Sequence, residues 1–299
     1  MLLKKICLIL LLSGGISFFL IPETSGQTSY LLQQEKDQSI IRSGEITTQS
    51  LADVTNIIET LLTSYDAKDI LVIFDIDMTL TQPVQKAVCS PALKKYISLY
   101  RRIMSSLTPE QYDMSSTLLT YLFPQKTVEK DTTHIIKHIQ AMAVPCIALT
   151  STLTGDLCFK GGIRFEKERF TKLSSEGIGI NFENSFDTKE IIFTEIPLYN
   201  GNHPVFYHGI LSSNGERGKN RKESVLSAFL RRVNFVPKVI VMVDDKKKNL
   251  QETERALKSY DSKIQFIGVE YQGAFDTSFG DVTREDFIDF WENHIHVCA

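Results

Sequence analysis

The sequence lacks a strong excess of charge of either sign. Its 299 residues include 33 lysines and arginines and 36 aspartates and glutamates, which gives a formal net charge of -3 at pH 7. It also lacks a long block of like charge. These two absences argue against a nucleic-acid-binding protein and against a charged tail, because both depend on clustered charge of one sign. The length fits one large domain or one domain with an inserted cap.

A run of apolar residues long enough for a clear membrane span is lacking as well. The chain begins with a short basic segment, residues 1–5, and an apolar segment, residues 6–21, that two glycines interrupt. Small residues follow at positions 24–26. This order is typical of a secretory signal peptide, whereas a transmembrane helix needs about 20 apolar residues. We predict a signal peptide over residues 1–26, export to the periplasm or beyond, and no stable membrane insertion after cleavage; an uncleaved anchor is the alternative.

Cysteine is scarce, with five in the whole chain. The four that remain after the predicted cleavage are Cys89, Cys146, Cys158 and Cys298. An even number in an exported chain permits disulfides, but four cysteines allow three pairings and the sequence does not choose among them. Cys146 lies in an apolar segment, which favours a buried free thiol. Residues 27–48 are polar and show no periodicity, and we expect a loose leader there.

Two carboxylates directly follow a run of apolar residues. Residues 71–74 are apolar, which is typical of a strand buried on both faces in a parallel sheet. Asp75 and Asp77 come next, and because side chains alternate along a strand, both would point to the same side if the extended geometry continued. Two close carboxylates repel each other unless a cation or a shared proton compensates their charge. Ligands of open α/β sheets bind beyond the carboxyl ends of the strands, so these acids indicate a site.

Two later apolar segments end in polar side chains in the same way. The first ends in the hydroxyl residues Thr150 and Ser151, and the second ends in the adjacent acids Asp244 and Asp245. Adjacent side chains of a strand point in opposite directions, so the two acids need not share one role.

The chain between the first two of these segments is longer than a simple connection requires. Helical spacing of apolar residues predicts helices over 91–104 and 109–123, the second with a capping box at its start. Two such helices exceed what a crossover between parallel strands needs. We predict a helical cap inserted over residues 82–128, with residues 49–81 and 129–299 forming the core. The alternative is that these helices only extend the core.

The segment Asp75-Ile76-Asp77-Met78-Thr79 resembles motif I of the haloacid dehalogenase-like (HAD) superfamily, whose phosphatases carry Asp-x-Asp-x-Thr/Val after a hydrophobic strand. The strand that ends at Thr150 resembles motif II, a lysine at a helix start resembles motif III, and the double aspartate resembles motif IV. The candidates for the lysine are Lys222, in the first turn of a predicted helix, and Lys219. The order of these motifs is similar to that in exported bacterial HAD-like acid phosphatases and uncharacterised secreted HAD-like proteins.

This resemblance implies a three-layer, Rossmann-like α/β core with a parallel sheet and a helical cap. It also implies an Mg²⁺-dependent phosphomonoester hydrolase that forms an aspartyl-phosphate. Asp75 would be the nucleophile and Asp77 the general acid and base. Thr150 and Lys222 would stabilise the transferring phosphoryl group. The candidates for binding the substrate are Thr150, Ser151, Lys222 and Lys219.

The resemblance further implies a magnesium site. The ion would be held by Asp75, by the backbone carbonyl of Asp77, and by either Asp245 or Asp244, because double-aspartate members of the superfamily differ in which acid they use. The expected partner is a small phosphorylated substrate, whose identity the sequence does not indicate; nor does it indicate the oligomeric state. The alternative function is that of a non-catalytic, HAD-like secreted binding or effector protein, because a fold does not determine a function.

Overall fold

The structure is a computed structural model that describes residues 44–156, 162–175, 177–183, 185–275 and 281–294. The predicted signal peptide, the leader as far as residue 43, Cys158 and Cys298 lie outside these ranges. Cys89 and Cys146 lie within them and are buried free thiols, as the sequence predicts for Cys146. Within the described ranges, no helix combines the length and the apolar composition that crossing a membrane requires.

Eight of the described strands form a single sheet. The strands are β1 (Gly44–Thr48), β2 (Ile70–Phe74), β3 (Thr81–Pro83), β4 (Gln125–Thr127), β5 (Cys146–Thr150), β6 (Glu190–Ile192), β7 (Val205–Tyr207), β8 (Ile210–Ser212), β9 (Val239–Asp244) and β10 (Gln265–Tyr271). Their order in the sheet is β1-β10-β9-β2-β5-β8-β7-β6, and β3 pairs separately with β4. In this order, each pair of neighbouring strands from β1 to β8 is parallel. The last two strands are antiparallel: β7 pairs with β8, and β6 pairs with β7.

Helices cover both faces of this sheet. They are α1 (Ala52–Leu61), α2 (Ser90–Lys95), α3 (Ile97–Met104), α4 (Pro109–Leu122), α5 (Thr132–Ala141), α6 (Phe165–Ser174), α7 (Lys222–Arg232), α8 (Lys247–Tyr260) and α9 (Arg284–His294). Along β2, Val72 and Phe74 join the apolar cluster of α1 and α5, whereas Leu71 and Ile73 join that of α7 and α8. The prediction of a three-layer, Rossmann-like α/β fold with a mostly parallel sheet is confirmed.

The leader is shorter than the sequence predicts. Residues 44–48, expected to be loose, form the edge strand β1, which pairs in parallel with β10 from Gly44 opposite Ile267 to Thr48 opposite Tyr271. An edge strand is held by backbone hydrogen bonds on one side and can keep polar side chains in solvent. For this reason the polar composition of residues 44–48 did not indicate a strand.

Residues 205–212 form two strands joined by a tight turn. His208 and Gly209 turn the chain with positive φ angles of 48° and 86°, and the resulting strands β7 and β8 extend the main sheet beside β5. A Cβ atom at Gly209 would lie 2.4 Å from the carbonyl oxygen of Phe182, so this turn requires glycine.

The segment between β3 and β4, which we call the cap, contains α2, α3 and α4. The helix expected over residues 91–104 is interrupted at Tyr96 and forms two helices. The capping box of α4 is confirmed: the Gln111 amide donates to the Thr108 hydroxyl over 3.2 Å, and the Thr108 amide donates to the Gln111 side chain over 2.9 Å. The antiparallel pair of β3 and β4 brings the two ends of the cap together.

The last helix packs on the cap. Phe287, Phe290 and Trp291 of α9 share an apolar cluster with the cap helices, and the rings of Tyr100 and Trp291 meet edge to face at 4.8 Å between centroids. The predicted domain boundaries placed this helix in the core, residues 129–299. Its amphipathic pattern indicates that one face is buried but does not indicate which surface covers that face.

Candidate active site

Two acids meet at the carboxyl edge of the sheet because β2 and β9 are neighbours. Asp75 follows the last residue of β2, Asp244 is the last residue of β9, and the Asp75 amide donates to the Val243 carbonyl over 2.8 Å. Both carboxylates are buried, Asp244 completely. The parallel register therefore places side chains that are far apart in sequence at one point of the sheet.

Lys222 lies between these two acids. Its Nζ atom donates to Asp75 Oδ1 over 2.6 Å and to Asp244 Oδ2 over 2.7 Å, and the side chain is only 5% exposed. Burial by itself lowers the pKa of an ammonium group, but the neighbouring Asp244 and Asp75 outweigh it and raise the pKa of Lys222. Lys222 is therefore protonated at neutral pH, and it is directed at the candidate nucleophile.

The oxygens of Asp244 are fully engaged by protein donors. Asn249 Nδ2 approaches both of them, at 2.9 and 3.0 Å, and the Lys246 amide donates to Oδ1 over 2.8 Å. Asp244 does not line the adjacent cavity, whereas Asp245 does. The two adjacent acids consequently face different surroundings, as strand alternation predicts.

The carboxylates outnumber the nearby lysine. Asp75, Asp244 and Asp245 can each bring one oxygen within 4.8 Å of the others. Burial, followed by the charge of Asp244, raises the pKa of Asp245 to about 6. Burial also raises the pKa of Asp75 well above its usual range, and Lys222 offsets this only in part. A cluster of crowded carboxylate oxygens is the donor set that a hard dication such as Mg²⁺ prefers, so the residues fit the predicted metal.

Asp77 is held by an arginine that the sequence analysis did not identify. Arg169, from α6, donates through Nη2 to Asp77 Oδ1, and its side chain is almost completely buried. Asp77 and Asp75 both line the cavity, although the chain turns between Asp77 and Thr81, with Met78 at a φ of 62°. The arginine lies 92 positions after the acid, on another element, so no local pattern could have paired them.

The structure separates the remaining candidates. Ser151 lines the cavity and donates to Glu216 Oε1 over 2.9 Å. Thr150 is buried, shares a 2.9 Å hydrogen bond with the Thr152 hydroxyl, and does not line the cavity. Lys222 lines it, whereas Lys219 is exposed and does not. Of the two lysines, only Lys222 is brought to the acids.

A cavity of about 510 Å³ lies over these side chains, between the edge of the sheet and the cap. Its floor carries Asp75, Asp77, Lys222 and Asp245, and its upper side is formed by residues of the cap, α9 and the segment after β10. Volumes of this size are typical of sites for small molecules. A charged floor beneath a mostly apolar cover can bind a small ligand that carries one anionic end.

Comparison with known proteins gives a family and no activity. A family model described as "Protein of unknown function (DUF2608)" matches residues 47–280, a range that includes the acids, Lys222 and Arg169 but not α9. An uncharacterised protein of Rickettsia bellii is 27% identical over 239 residues, covering 78% of this chain and 79% of that protein. The uncharacterised protein RC0398 of Rickettsia conorii is 28% identical over 212 residues, covering 70% of each. An uncharacterised protein of Rickettsia felis is 31% identical over 150 residues, covering 50% of this chain and 49% of that protein.

Proposed function

The chain belongs to the DUF2608 family of proteins of unknown function, and we propose that it is an Mg²⁺-dependent phosphomonoester hydrolase of the HAD type. The observation that carries the proposal is the contact of Lys222 with Asp75 at the floor of a cavity that Asp77 and Asp245 also line. An acid, a cation and a second acid beside one cavity are the groups that transfer of a phosphoryl group to a carboxylate requires.

The two adjacent acids of β9 take different roles in this proposal. Asp245, Asp75 and the backbone carbonyl of Asp77 would hold Mg²⁺, which when bound supplies positive charge beside the phosphoryl oxygens. Asp244 orients Lys222 instead, because its oxygens are already engaged by Asn249, by the Lys246 amide and by Lys222 itself. We therefore propose Asp245, and not Asp244, as the direct ligand of the metal, a choice that the sequence did not decide.

The reaction follows from the positions of Asp75 and Asp77. A carboxylate oxygen of Asp75 attacks phosphorus, the bond from phosphorus to the ester oxygen breaks, and Asp77 gives a proton to the departing alkoxide. Asp77 then takes a proton from a water molecule, whose oxygen attacks the aspartyl-phosphate and releases inorganic phosphate and Asp75. Lys222 stabilises the charge on the transferring group, and Arg169 holds Asp77 in position.

The test is hydrolysis of p-nitrophenyl phosphate by the full chain, with MgCl2 and with a chelator. Turnover is expected with the metal and not with the chelator, and Asp75→Asn should abolish it because an amide is a poor nucleophile. A matched control is Asp69→Asn, which removes an acid at the opposite end of β2 that pairs with Lys238 on the surface. Absence of turnover on any phosphomonoester, with Mg²⁺ bound, would favour the non-catalytic binding protein.

A further inference from the structure

The cavity has two unlike halves. Its floor is charged. The cover also carries polar side chains, among them Ser90, Thr120 and the exposed Lys94, but most of its members are rings and aliphatic side chains. Of these, Tyr100, Tyr112, Phe275, Trp291, Leu93 and Ile97 form what we call the apolar wall. The wall lines the same cavity as Asp75 and Lys222.

The polar atoms of the wall are largely engaged within the protein. The indole Nε1 of Trp291 donates to the Ala87 carbonyl over 3.1 Å, and the hydroxyl of Tyr100 donates to that of Tyr112 over 3.5 Å. The wall therefore presents mainly ring faces and hydrocarbon to a ligand, while the Tyr112 hydroxyl, which accepts from Tyr100, keeps a proton that it can donate.

An acid of the cap that lines the cavity is also engaged. Asp113 of α4 lines the cavity, but its Oδ2 accepts from the Tyr199 hydroxyl over 2.6 Å and from Arg217 Nε over 3.2 Å. An uncompensated carboxylate would attract a cationic or polyhydroxylated leaving group, and these two partners weaken that attraction.

The cavity is also far larger than an inorganic phosphate ion requires. A volume of about 510 Å³ leaves most of the space to the part of the substrate beyond the phosphoryl group. An apolar wall gains free energy only from a partner that removes its surface from water, and aromatic side chains pair well with another ring.

We propose that the substrate of this site is a phosphomonoester with an uncharged, apolar leaving group that contains a ring, seated between Trp291 and Ile97 of the apolar wall. The proposal rests on the hydrolase function above, with the phosphoryl group bound at Asp75 and Lys222. A short polar ester, such as a glycerol phosphate, would leave the wall uncovered.

The first test compares benzyl phosphate with ethyl phosphate on the full chain in MgCl2. Both esters release alcohols of similar acidity, so the chemical step should have a similar barrier for both. The two esters then differ mainly in how much of the leaving group contacts the wall. We expect kcat/KM to be at least about tenfold higher for benzyl phosphate, since even one added methylene in an apolar pocket changes kcat/KM by about tenfold or more.

A second test measures binding without turnover. Trp291 is the only tryptophan of the chain and lines the cavity, so its fluorescence reports directly on occupation of the wall. Benzylphosphonate, which the enzyme cannot hydrolyse, should change this fluorescence with a Kd at least about tenfold lower than that of ethylphosphonate.

A pair of variants tests whether the preference for benzyl phosphate comes from the apolar wall. Ile97 lies on α3 in the wall and is 38% exposed, and Leu122 lies on α4 outside the cavity lining and is 40% exposed. Ile97→Ser should raise the KM for benzyl phosphate about fivefold and clearly more than the KM for ethyl phosphate, because it removes apolar contact from one substrate only. Leu122→Ser should leave both values unchanged, because it also replaces an aliphatic side chain of similar exposure by serine, but outside the cavity.

The outcomes separate this proposal from the function on which it rests. Equal kcat/KM for the two phosphates together with equal binding of the two phosphonates would overturn the substrate class, while their hydrolysis would keep the hydrolase. Hydrolysis of neither ester, with benzylphosphonate still bound preferentially at Trp291, would overturn the hydrolase and support the class of ligand.

Discussion

Arg169 and Asp77 form an ion pair between α6 and the turn that follows β2, beside the cavity. The guanidinium is almost completely buried, and within the described part of the chain its Nε atom has no hydrogen-bond partner. Burying an arginine is costly unless its charge is compensated, so the ion pair holds Asp77 and Arg169 to one arrangement. In the proposed reaction this arrangement aims the acid that protonates the leaving group.

Replacing Arg169 by lysine should therefore impair protonation of the leaving group more than attack on phosphorus. Lysine keeps the charge but lacks the planar fork of the guanidinium. We expect kcat to fall about tenfold or more for an alkyl phosphate, whose alkoxide needs a proton to leave, and much less for p-nitrophenyl phosphate. Arg164→Lys is the control, because Arg164 pairs with Glu166 at the start of the same helix. Equal losses on both esters would indicate a structural role.

Lys222→Met should both inactivate and destabilise the protein. It leaves Asp75 and Asp244 buried without their shared cation, and removing one partner of a buried ion pair costs about 3–5 kcal/mol. The control is Lys238→Met, whose pair with Asp69 lies on the surface, where solvent screens the charges and an ion pair contributes little to stability. Urea denaturation with chelator present measures both losses, and a loss for Lys222→Met no larger than the control's would contradict the buried pairing.

The crowded carboxylates should make stability depend on pH and on metal. The pKa of Asp245 in the folded protein is about 6, above its usual 3.8, so its protonated form is favoured by folding. Its contribution to stability is complete below pH 3.8 and is lost as the pH rises through about 6. With chelator present, the free energy of unfolding of Asp245→Asn should therefore exceed that of the wild type by an amount that grows between pH 4 and 6 and then levels off.

Mg²⁺ should stabilise the wild type and act much less on Asp245→Asn. A ligand present at a hundredfold excess over its Kd adds about 2.7 kcal/mol to the free energy of unfolding. Parallel pH profiles for the two proteins, or equal stabilisation by Mg²⁺, would count against Asp245 as a ligand. The thermal or urea transition measured at several pH values, with and without MgCl2, provides both comparisons.

The turn between β7 and β8 should tolerate no side chain at Gly209. Its φ is 86° and an added Cβ would meet the backbone of Phe182 at 2.4 Å, whereas Gly201 has a φ of 74° and open space around it. Gly201→Ala should cost about 1–2 kcal/mol for the left-handed backbone alone. Gly209→Ala should cost clearly more, because the backbone of Phe182 must also move. Equal free energies of unfolding for the two variants would show that the clash is relieved without cost.

The buried strands and their ends could be predicted from sequence because they depend on local composition. Residues 71–74 and 239–243 are continuously apolar, and such segments become strands covered on both faces. The acids at their ends then follow from the direction of parallel strands. The polar strand β1 escaped prediction, because its order comes from the backbone of β10 and not from its own side chains.

The sequence by itself determined which segments are apolar, where α4 is capped, and which acids and lysines stand at the ends of elements. Only the tertiary structure decided which of these groups meet. Lys222, and not Lys219, contacts the acids, and Arg169 contacts Asp77. Asp244 bonds to protein donors while Asp245 lines the cavity, and α9 packs on the cap. The physical reason is that helix and strand patterns depend on neighbours within a few residues, whereas the contacts of Lys222 with Asp75 and of Arg169 with Asp77 join residues 147 and 92 positions apart. Such contacts form only when the whole sheet and its covering helices are assembled.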